Sequence, residues 1–148
     1  MRSLLLPPRA MVLCGVLMLM LHHIAPLRQI VPHPTNWFGL APIVAGLAIA
    51  AWHARLFRSI GTNINTFGEP GKLTTQGLFR HSRNPMYLGM LLTLSGIALV
   101  LGSLVAVLGP IIFFALAHYW YIPLEEQAMQ QKFSASYADY RSRVRRWL

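Results

Sequence analysis

Four long apolar segments separated by polar ones dominate the pattern along the chain. They run from Arg9 to Leu27, from Trp37 to Phe57, from Met86 to Leu101 and from Leu104 to Ile122. A hydrocarbon core of about 30 Å needs roughly 20 mainly apolar residues per helix. The pattern therefore predicts an all-α integral membrane protein with about four transmembrane helices. One straight helix through both of the last two segments would be longer than ~50 Å, so a break between them is needed. The break at Gly102-Ser103 predicts a tight helical hairpin.

The apolar residues after Pro123 follow the repeat of an amphipathic helix. Pro123 is expected to end or bend the fourth span. The polar side of this C-terminal helix would lie along the membrane surface, and its apolar side would pack on the preceding loop. That apolar side carries Leu124, Ala128, Met129, Phe133, Tyr137, Tyr140, Val144 and Trp147.

Composition supports a membrane protein of one domain. Of the 148 residues, 55% are apolar and 11% are charged, against about a quarter charged in ordinary soluble domains. We divide the chain into two N-terminal spans (1–57) and a part comprising the loop, the hairpin and the C-terminal helix (58–148). The net charge of +9 is compatible with nucleic acid or anionic lipid. Lipid is favoured, because the basic residues flank the apolar spans.

The distribution of Lys and Arg predicts the orientation. With four spans, twelve of the thirteen basic residues fall on one face, and only Arg28 falls on the other. Because basic residues accumulate in cytoplasmic loops, both termini are expected to be cytosolic, most simply at the bacterial inner membrane. No A-x-A-like site follows the first apolar segment, so we expect that span to be retained.

Cysteine and histidine do not predict a metal site. Cys14 is the single cysteine, so it has no partner for a disulfide within the chain. The histidines lack the spacing of known ligand motifs. Most aromatic residues at the span ends are interpreted as interfacial anchors. The histidines compared are five of the six in the chain: His22, His23, His53, His81 and His118.

The loop between the second and third spans is the first candidate functional segment. Gly61, Gly68, Pro70, Gly71 and Gly77 exclude a long helix and favour turns that let the backbone approach a ligand. A solvated connector is the alternative for the loop taken alone. A loop of this length is more often functional or disordered.

The motif Arg83–Gly89 ends this loop and begins the third helix. Pro85 suits the first helical position, and Asn84 before it is displaced from the α region. The free N–H groups of the helix start then suit an anionic group such as a carboxylate. Tyr87, one turn inside, adds a hydroxyl group and an aromatic face. The hairpin should bring this motif close to the acidic pair after Pro123.

That acidic pair is Glu125 and Glu126. Carboxylates at a membrane boundary often mark a ligand or ion contact, and capping of the C-terminal helix is the alternative. The basic residues of the tail are interpreted as phospholipid contacts. They are Arg141, Arg143, Arg145 and Arg146.

Together these segments resemble the isoprenylcysteine carboxyl methyltransferase family, in a wider group that includes phospholipid N-methyltransferases and related bacterial intramembrane methyltransferases. The resemblance covers the C-terminal part of the chain. It is carried, in order, by Leu73–Arg80, Arg83–Gly89, Glu125-Glu126, Phe133–Arg141 and Val144–Leu148.

The resemblance implies S-adenosylmethionine as cofactor and methyl transfer to a lipophilic acceptor. The positions that match the family's cofactor-binding residues are Lys72, Leu73, Thr74, Phe79, Asn84, Pro85, Met86, Tyr87 and Glu125. Glu125 suits the amino group, the helix start suits the carboxylate, and Phe79 or Tyr87 suits the adenine or the sulfonium. Membrane lipids and a lipophilic or lipidated substrate are the expected partners.

Arg83, Tyr121 and Glu126 are the candidate catalytic residues. Asn84 stands where the carboxyl methyltransferases usually have histidine. Tyr121 stands where the eukaryotic-type enzymes have an arginine associated with the substrate carboxylate. The acceptor therefore stays open between a prenylcysteine-like carboxylate, a lipid amine and a thiol, and Glu126 or Tyr121 would take the proton from an amine.

Two other classes of protein remain open at this stage. Sterol and steroid reductases are similar in the C-terminal motif and use NADPH, although the chain has no glycine-rich dinucleotide motif after a strand. A non-enzymatic small membrane protein is the other alternative. Binding of S-adenosylmethionine or of NADPH would separate these classes.

Overall fold

The computed structural model describes residues 6–61 and 71–148, which fold mainly into helices. A π-helical segment, Ala117–Tyr121, joins the fourth helix to the fifth, and 3-10 turns occupy Thr35–Gly39, Gly77–Arg80 and Leu104–Val107. Within the described ranges there is no β-strand, only an isolated bridge between Gln29 and Ser103. The all-α prediction is confirmed. The helices are α1 (Pro7–Ile24), α2 (Leu40–Ile60), α3 (Pro85–Leu101), α4 (Leu108–Leu116) and α5 (Ile122–Arg143).

Three stretches of the described chain are long and apolar enough to cross a membrane: Pro7–Ile24, Thr35–Ser59 and Leu104–Arg143. The remaining predicted span corresponds to α3, which has 17 residues. It rises about 25 Å, less than the about 30 Å of a hydrocarbon core. Even so, α3 is the centre of the bundle, and it packs against α1, α2 and α4. The count of four spans stays a prediction.

The predicted hairpin between α3 and α4 is present. Gly102 adopts a left-handed conformation (φ 68°) and ends α3. The segment before α2 lies across this turn, where the Ile30 amide donates to the Gly102 carbonyl (2.7 Å) and the Leu104 amide donates to the Arg28 carbonyl (2.8 Å). His22 Nδ1 lies 2.9 Å from Ser103 Oγ. Arg28 and the hairpin turn therefore share one end of the bundle, as the charge pattern predicted.

A glycine seam, formed by Gly39, Gly46, Gly89 and Gly96, brings α2 and its preceding turn against α3. Gly39 faces Gly96, where an added Cβ would lie 2.5 Å from the opposite carbonyl oxygen. Gly46 faces Gly89 in the same way, and a Cβ on Gly89 would lie 2.9 Å from the Gly46 carbonyl. Small residues at these positions allow the backbones to approach closely. Gly39 and Gly46 therefore pack within the chain.

Of the two alternatives predicted at Pro123, an end of the helix is wrong, because the helix continues from α4 through the π segment into α5. A proline inside a helix removes one amide and crowds the carbonyl four residues earlier. The wider π turn at Ala117–Tyr121 lies directly before Pro123 and accommodates both effects.

The predicted single apolar stripe of the C-terminal helix is also wrong. Ser134 has a non-helical conformation (φ 42°) within α5, so residues on either side of it do not share one helical phase. Tyr137 and Tyr140 are buried, whereas Leu124 is 39% exposed. Val144 lies beyond the helix end at Arg143.

Candidate functional site

The site is built where the loop before α3 meets the start of α5 and the C-terminal tail. As predicted, α3 begins at Pro85, and Asn84 precedes it with a non-helical conformation. The α3–α4 hairpin then returns the chain so that the start of α5 lies beside the start of α3. The two motifs that the sequence placed 38 residues apart are in contact. Residues 62–70, which include Gly68 and Pro70 of the predicted loop, lie outside the described residues.

Tyr87 and Glu125 form the most direct link between the two motifs. The Tyr87 hydroxyl donates to Glu125 Oε1 at 2.8 Å. Tyr87 is 1% exposed, and its ring lies almost parallel to that of Tyr121, with centroids 6.2 Å apart. Phe113 of α4 lies on the same side of α3, with its ring centroid 6.5 Å from that of Tyr87. The result is a carboxylate held at the edge of an aromatic wall.

A buried ionic cluster, formed by Arg83, Glu126 and Arg146, lies beside this pair. Arg83 Nη2 donates to Glu126 Oε1 at 2.8 Å, and Arg146 Nη2 donates to Glu126 Oε2 at 2.6 Å. The side chains of Arg83 and Glu126 are only 9% and 10% exposed. Both carboxylate oxygens are thus bound by guanidinium groups, an arrangement that fixes geometry as well as charge.

Further donors of Arg83 and Asn84 bind the backbone of the tail. Arg83 Nη1 donates to the carbonyls of Arg141 (3.0 Å) and Val144 (3.1 Å), and its amide donates to the Arg145 carbonyl (2.9 Å). The Asn84 side-chain amide donates to the Arg146 carbonyl at 3.0 Å. Asn84 and Arg83 therefore hold the tail in the described structure.

Phe79 belongs to a second aromatic group, on the α2 side of α3. Its ring centroid lies 4.9 Å from that of His53 and 5.9 Å from that of Phe57. Its carbonyl accepts a hydrogen bond from the Tyr140 hydroxyl at 2.8 Å. The turn that contains Phe79 is thereby fixed to α2 on one side and to α5 on the other.

The other predicted cofactor residues lie around this frame. Lys72, Leu73 and Thr74 form an irregular segment that leads into the Gly77–Arg80 turn. Within the described part of the chain, Leu73 and Thr74 make no side-chain hydrogen bond or ion pair. Pro85 is buried, and Met86 packs partly buried against the core.

Sequence reasoning missed the part played by Arg146. Arg146 pairs with Glu126, a role that its interpretation as a phospholipid contact did not include. Arg143 pairs with Asp139 on the exposed side of α5. The signal for Arg146 was its position in the tail motif Val144–Leu148, but the partner could be identified only from the tertiary structure.

The tail is also fixed to α4 through Trp147. Its Nε1 donates to His118 Nδ1 at 3.0 Å, and its ring stacks against Phe114, with centroids 5.1 Å apart. We expect Trp147→Phe to keep the stacking and to lose the hydrogen bond, at a cost of about 0.5–1.5 kcal/mol. Trypsin should then cleave after Arg145 several-fold faster than in the wild type.

Trp37→Phe is the matched control for this measurement. Trp37 makes the same kind of bond, from Nε1 to His33 Nε2 at 2.9 Å, but it lies before α2 and is 53% exposed. Its replacement should leave cleavage at Arg145 unchanged. Equal cleavage in wild type and Trp147→Phe would show that the bond does not hold the tail.

The comparison with known families agrees with this arrangement. A family model described as phospholipid methyltransferase matches residues 34–136, which is more than half of the chain. The chain therefore belongs to a membrane-embedded class of methyltransferases. The chain is a member of the phospholipid methyltransferase family, and with its long apolar helices it is an integral membrane protein.

A relative of this chain adds no function. The chain is 43% identical over 63 residues to an uncharacterized protein of Haemophilus influenzae, and the aligned region covers 43% of this chain and 100% of the relative. No solved structure matches the chain significantly.

Proposed function

We propose that the protein transfers a methyl group from S-adenosylmethionine to a lipophilic acceptor, at the membrane face that carries the loop and the tail. Phospholipid methyltransferases normally use this cofactor, and the family match supports its use here. The observation that carries the proposal is the contact between Tyr87 and Glu125, at 2.8 Å. This contact joins the motif Arg83–Gly89, where α3 begins, to the acidic pair Glu125 and Glu126, as a two-part cofactor site requires.

The residues of the site fit the groups of this cofactor. The Glu125 carboxylate, positioned by the Tyr87 hydroxyl, provides a partner for an α-amino group. The start of α3, a helix of 17 residues, provides amide groups and a positive dipole end for a carboxylate. Aromatic faces at Phe79, Tyr87 and Tyr121 suit an adenine ring or a sulfonium. The cofactor supplies the methyl group when it is bound.

The protein's own contribution to the reaction is positioning. Methyl transfer is an in-line displacement, so holding the acceptor about 3–3.5 Å from the methyl carbon in the correct direction lowers the barrier substantially. The ionic cluster serves this purpose, because it fixes the loop to the tail. In our proposal Arg83 and Glu126 act as positioning residues, and Tyr121 faces the acceptor.

The acceptor belongs to one of three classes: a prenylcysteine-like carboxylate, a lipid amine or a thiol. Asn84 donates to the Arg146 carbonyl through its side chain, a contact that needs no protonatable group. Tyr121 offers a hydroxyl group instead of a cation. The orientation with the loop and the tail in the cytosol is supported by the twelve basic residues on that face.

Replacement of either Tyr87 or Glu125 should weaken cofactor binding. We expect Glu125→Ala and Tyr87→Ala to raise the Kd for S-adenosylmethionine tenfold or more in calorimetry with purified protein, because each removes one partner of the contact between Tyr87 and Glu125. Tyr119→Ala is the control, since Tyr119 is 76% exposed and its removal should leave the Kd unchanged. An unaltered Kd in both site variants would refute the site assignment.

Two further measurements address the acceptor and the other classes of protein. Membrane lipids and thiols incubated with labelled S-adenosylmethionine should gain label with the wild type and not with Glu125→Ala, and mass spectrometry would identify the labelled class. Titration of NADPH against the same preparation should show no binding. Binding of NADPH but not S-adenosylmethionine would instead support a reductase-like enzyme, and binding of neither would support a non-enzymatic role.

A further inference from the structure

An apolar groove lies between α1 and the helix formed by α4 and the π segment. It has a volume of about 260 Å³. Most of its lining is hydrocarbon, and Leu13 on its open side is 64% exposed. Because α1 is long and apolar enough to cross a membrane, an opening along it would face lipid chains. The lining residues used in the argument below are Ala10, Leu13, Leu17, Ile112 and Tyr121.

The groove runs in the direction of a lipid chain. Along α1 it extends from Ala10 to Leu17, which is a rise of about 10 Å. Half of a hydrocarbon core is about 15 Å thick. Because Ala10 lies one turn inside the start of α1, the groove begins near the membrane face that carries the site and ends near the bilayer centre.

One wall of the groove is part of the candidate site. Tyr121 lines the groove, and its ring stacks with that of Tyr87 at 6.2 Å. Tyr87 in turn donates to Glu125. A chain that occupies the groove would thus place the polar end of its molecule beside the residues that we assign to methyl transfer.

We propose that the groove binds a single hydrocarbon chain of the methyl acceptor and thereby positions the acceptor's reactive group at the site. This inference rests on the proposed function. A single chain is favoured because the volume lies below the about 300–1,000 Å³ of pockets that enclose drug-sized ligands. A lipid-like molecule is favoured over a peptide for three reasons. The groove lies within a membrane span, it runs in the direction of a lipid chain, and it is continuous with Tyr121.

The probe for this proposal is phosphatidylethanolamine with a diazirine in the middle of one acyl chain, incorporated into phosphatidylcholine nanodiscs with the purified protein. After irradiation, mass spectrometry should find adducts concentrated at Leu13, Leu17 and Ile112. Leu13→Trp fills the groove from its open side and should reduce these adducts at least fivefold. Val12→Trp is the matched control, because Val12 is the neighbouring residue, is 58% exposed and does not line the groove.

Activity separates an acceptor chain from a resident lipid. Leu13→Trp should raise the KM for the lipid acceptor fivefold or more and leave the Kd for S-adenosylmethionine as in the wild type, while Val12→Trp changes neither. Adducts spread evenly over exposed α1 and α2 residues, or lost equally in both variants, would overturn the proposal. Loss of adducts in Leu13→Trp without a change in KM would also overturn it, since the chain would then belong to a structural lipid. Failure of the wild type to bind S-adenosylmethionine would instead refute the proposed function.

Discussion

Glu126→Ala should destabilise the folded protein by about 3–5 kcal/mol, the usual cost of removing one partner from a buried ion pair. Two arginines would remain with their partner removed, and Arg83 is only 9% exposed. The tail should also be held less tightly, because the Arg146 guanidinium would lose its Glu126 partner. Thermal unfolding in detergent would report the loss of stability, and faster tryptic cleavage after Arg145 would report the loosened tail.

Asp139→Ala provides the comparison for Glu126→Ala. Asp139 pairs with Arg143 on the surface of α5, where the two side chains are 63% and 68% exposed. Exposed pairs of this kind contribute about 0–1 kcal/mol. If the two variants lost equal stability, the ionic cluster would not be the structural centre of the site.

Gly46→Ala should separate α2 from α3. A Cβ at this position would lie 2.8 Å from the Thr93 backbone nitrogen and closer still to the Gly89 carbonyl oxygen. Relief of this clash with the α3 backbone requires movement of a whole helix. Overpacking of this kind costs about 1–3 kcal/mol. Loss of stability in thermal unfolding, together with a weaker crosslink between cysteines introduced at the α2–α3 interface, would demonstrate it.

Gly15→Ala tests whether steric contact causes this effect. Gly15 is also a helical glycine, but the nearest atom to an added Cβ is Leu94 Cδ2 at 4.0 Å, an ordinary contact. Alanine is favoured over glycine in a helix by up to about 1 kcal/mol. The same substitution should therefore stabilise the protein at position 15 and destabilise it at position 46. Two changes of the same sign would mean that the glycine seam does not control packing.

The sequence predicted the parts of this fold that depend on strong local signals. Long apolar runs identified the helices, Gly102-Ser103 identified the hairpin, and Asn84-Pro85 identified the start of α3. From these followed the meeting of the helix-start motif with Glu125. Each of these features depends on residues that are close in sequence, or on one chain reversal whose position is marked by glycine.

Features that depend on tertiary register could not be predicted in the same way. The partner of Arg146 is determined by how the tail crosses the loop, and nothing in a run of arginines distinguishes an ion pair from a lipid contact. The continuation of the helix past Pro123 depends on a π turn that has no simple sequence signal. Likewise, Ser134 is an ordinary helical residue by type, yet it changes the phase of α5.

The short central helix has a consequence for the membrane around it. Because α3 rises about 25 Å while an ordinary hydrocarbon core is about 30 Å thick, its two ends cannot both reach the headgroup regions of an undistorted bilayer. A bilayer accommodates a helix that is too short by becoming thinner around it. The start of α3 at Asn84 and Pro85 would then lie close to the lipid chains of the thinned leaflet. A lipid acceptor would be able to react there with its chains still in the leaflet, and thinner bilayers should favour turnover.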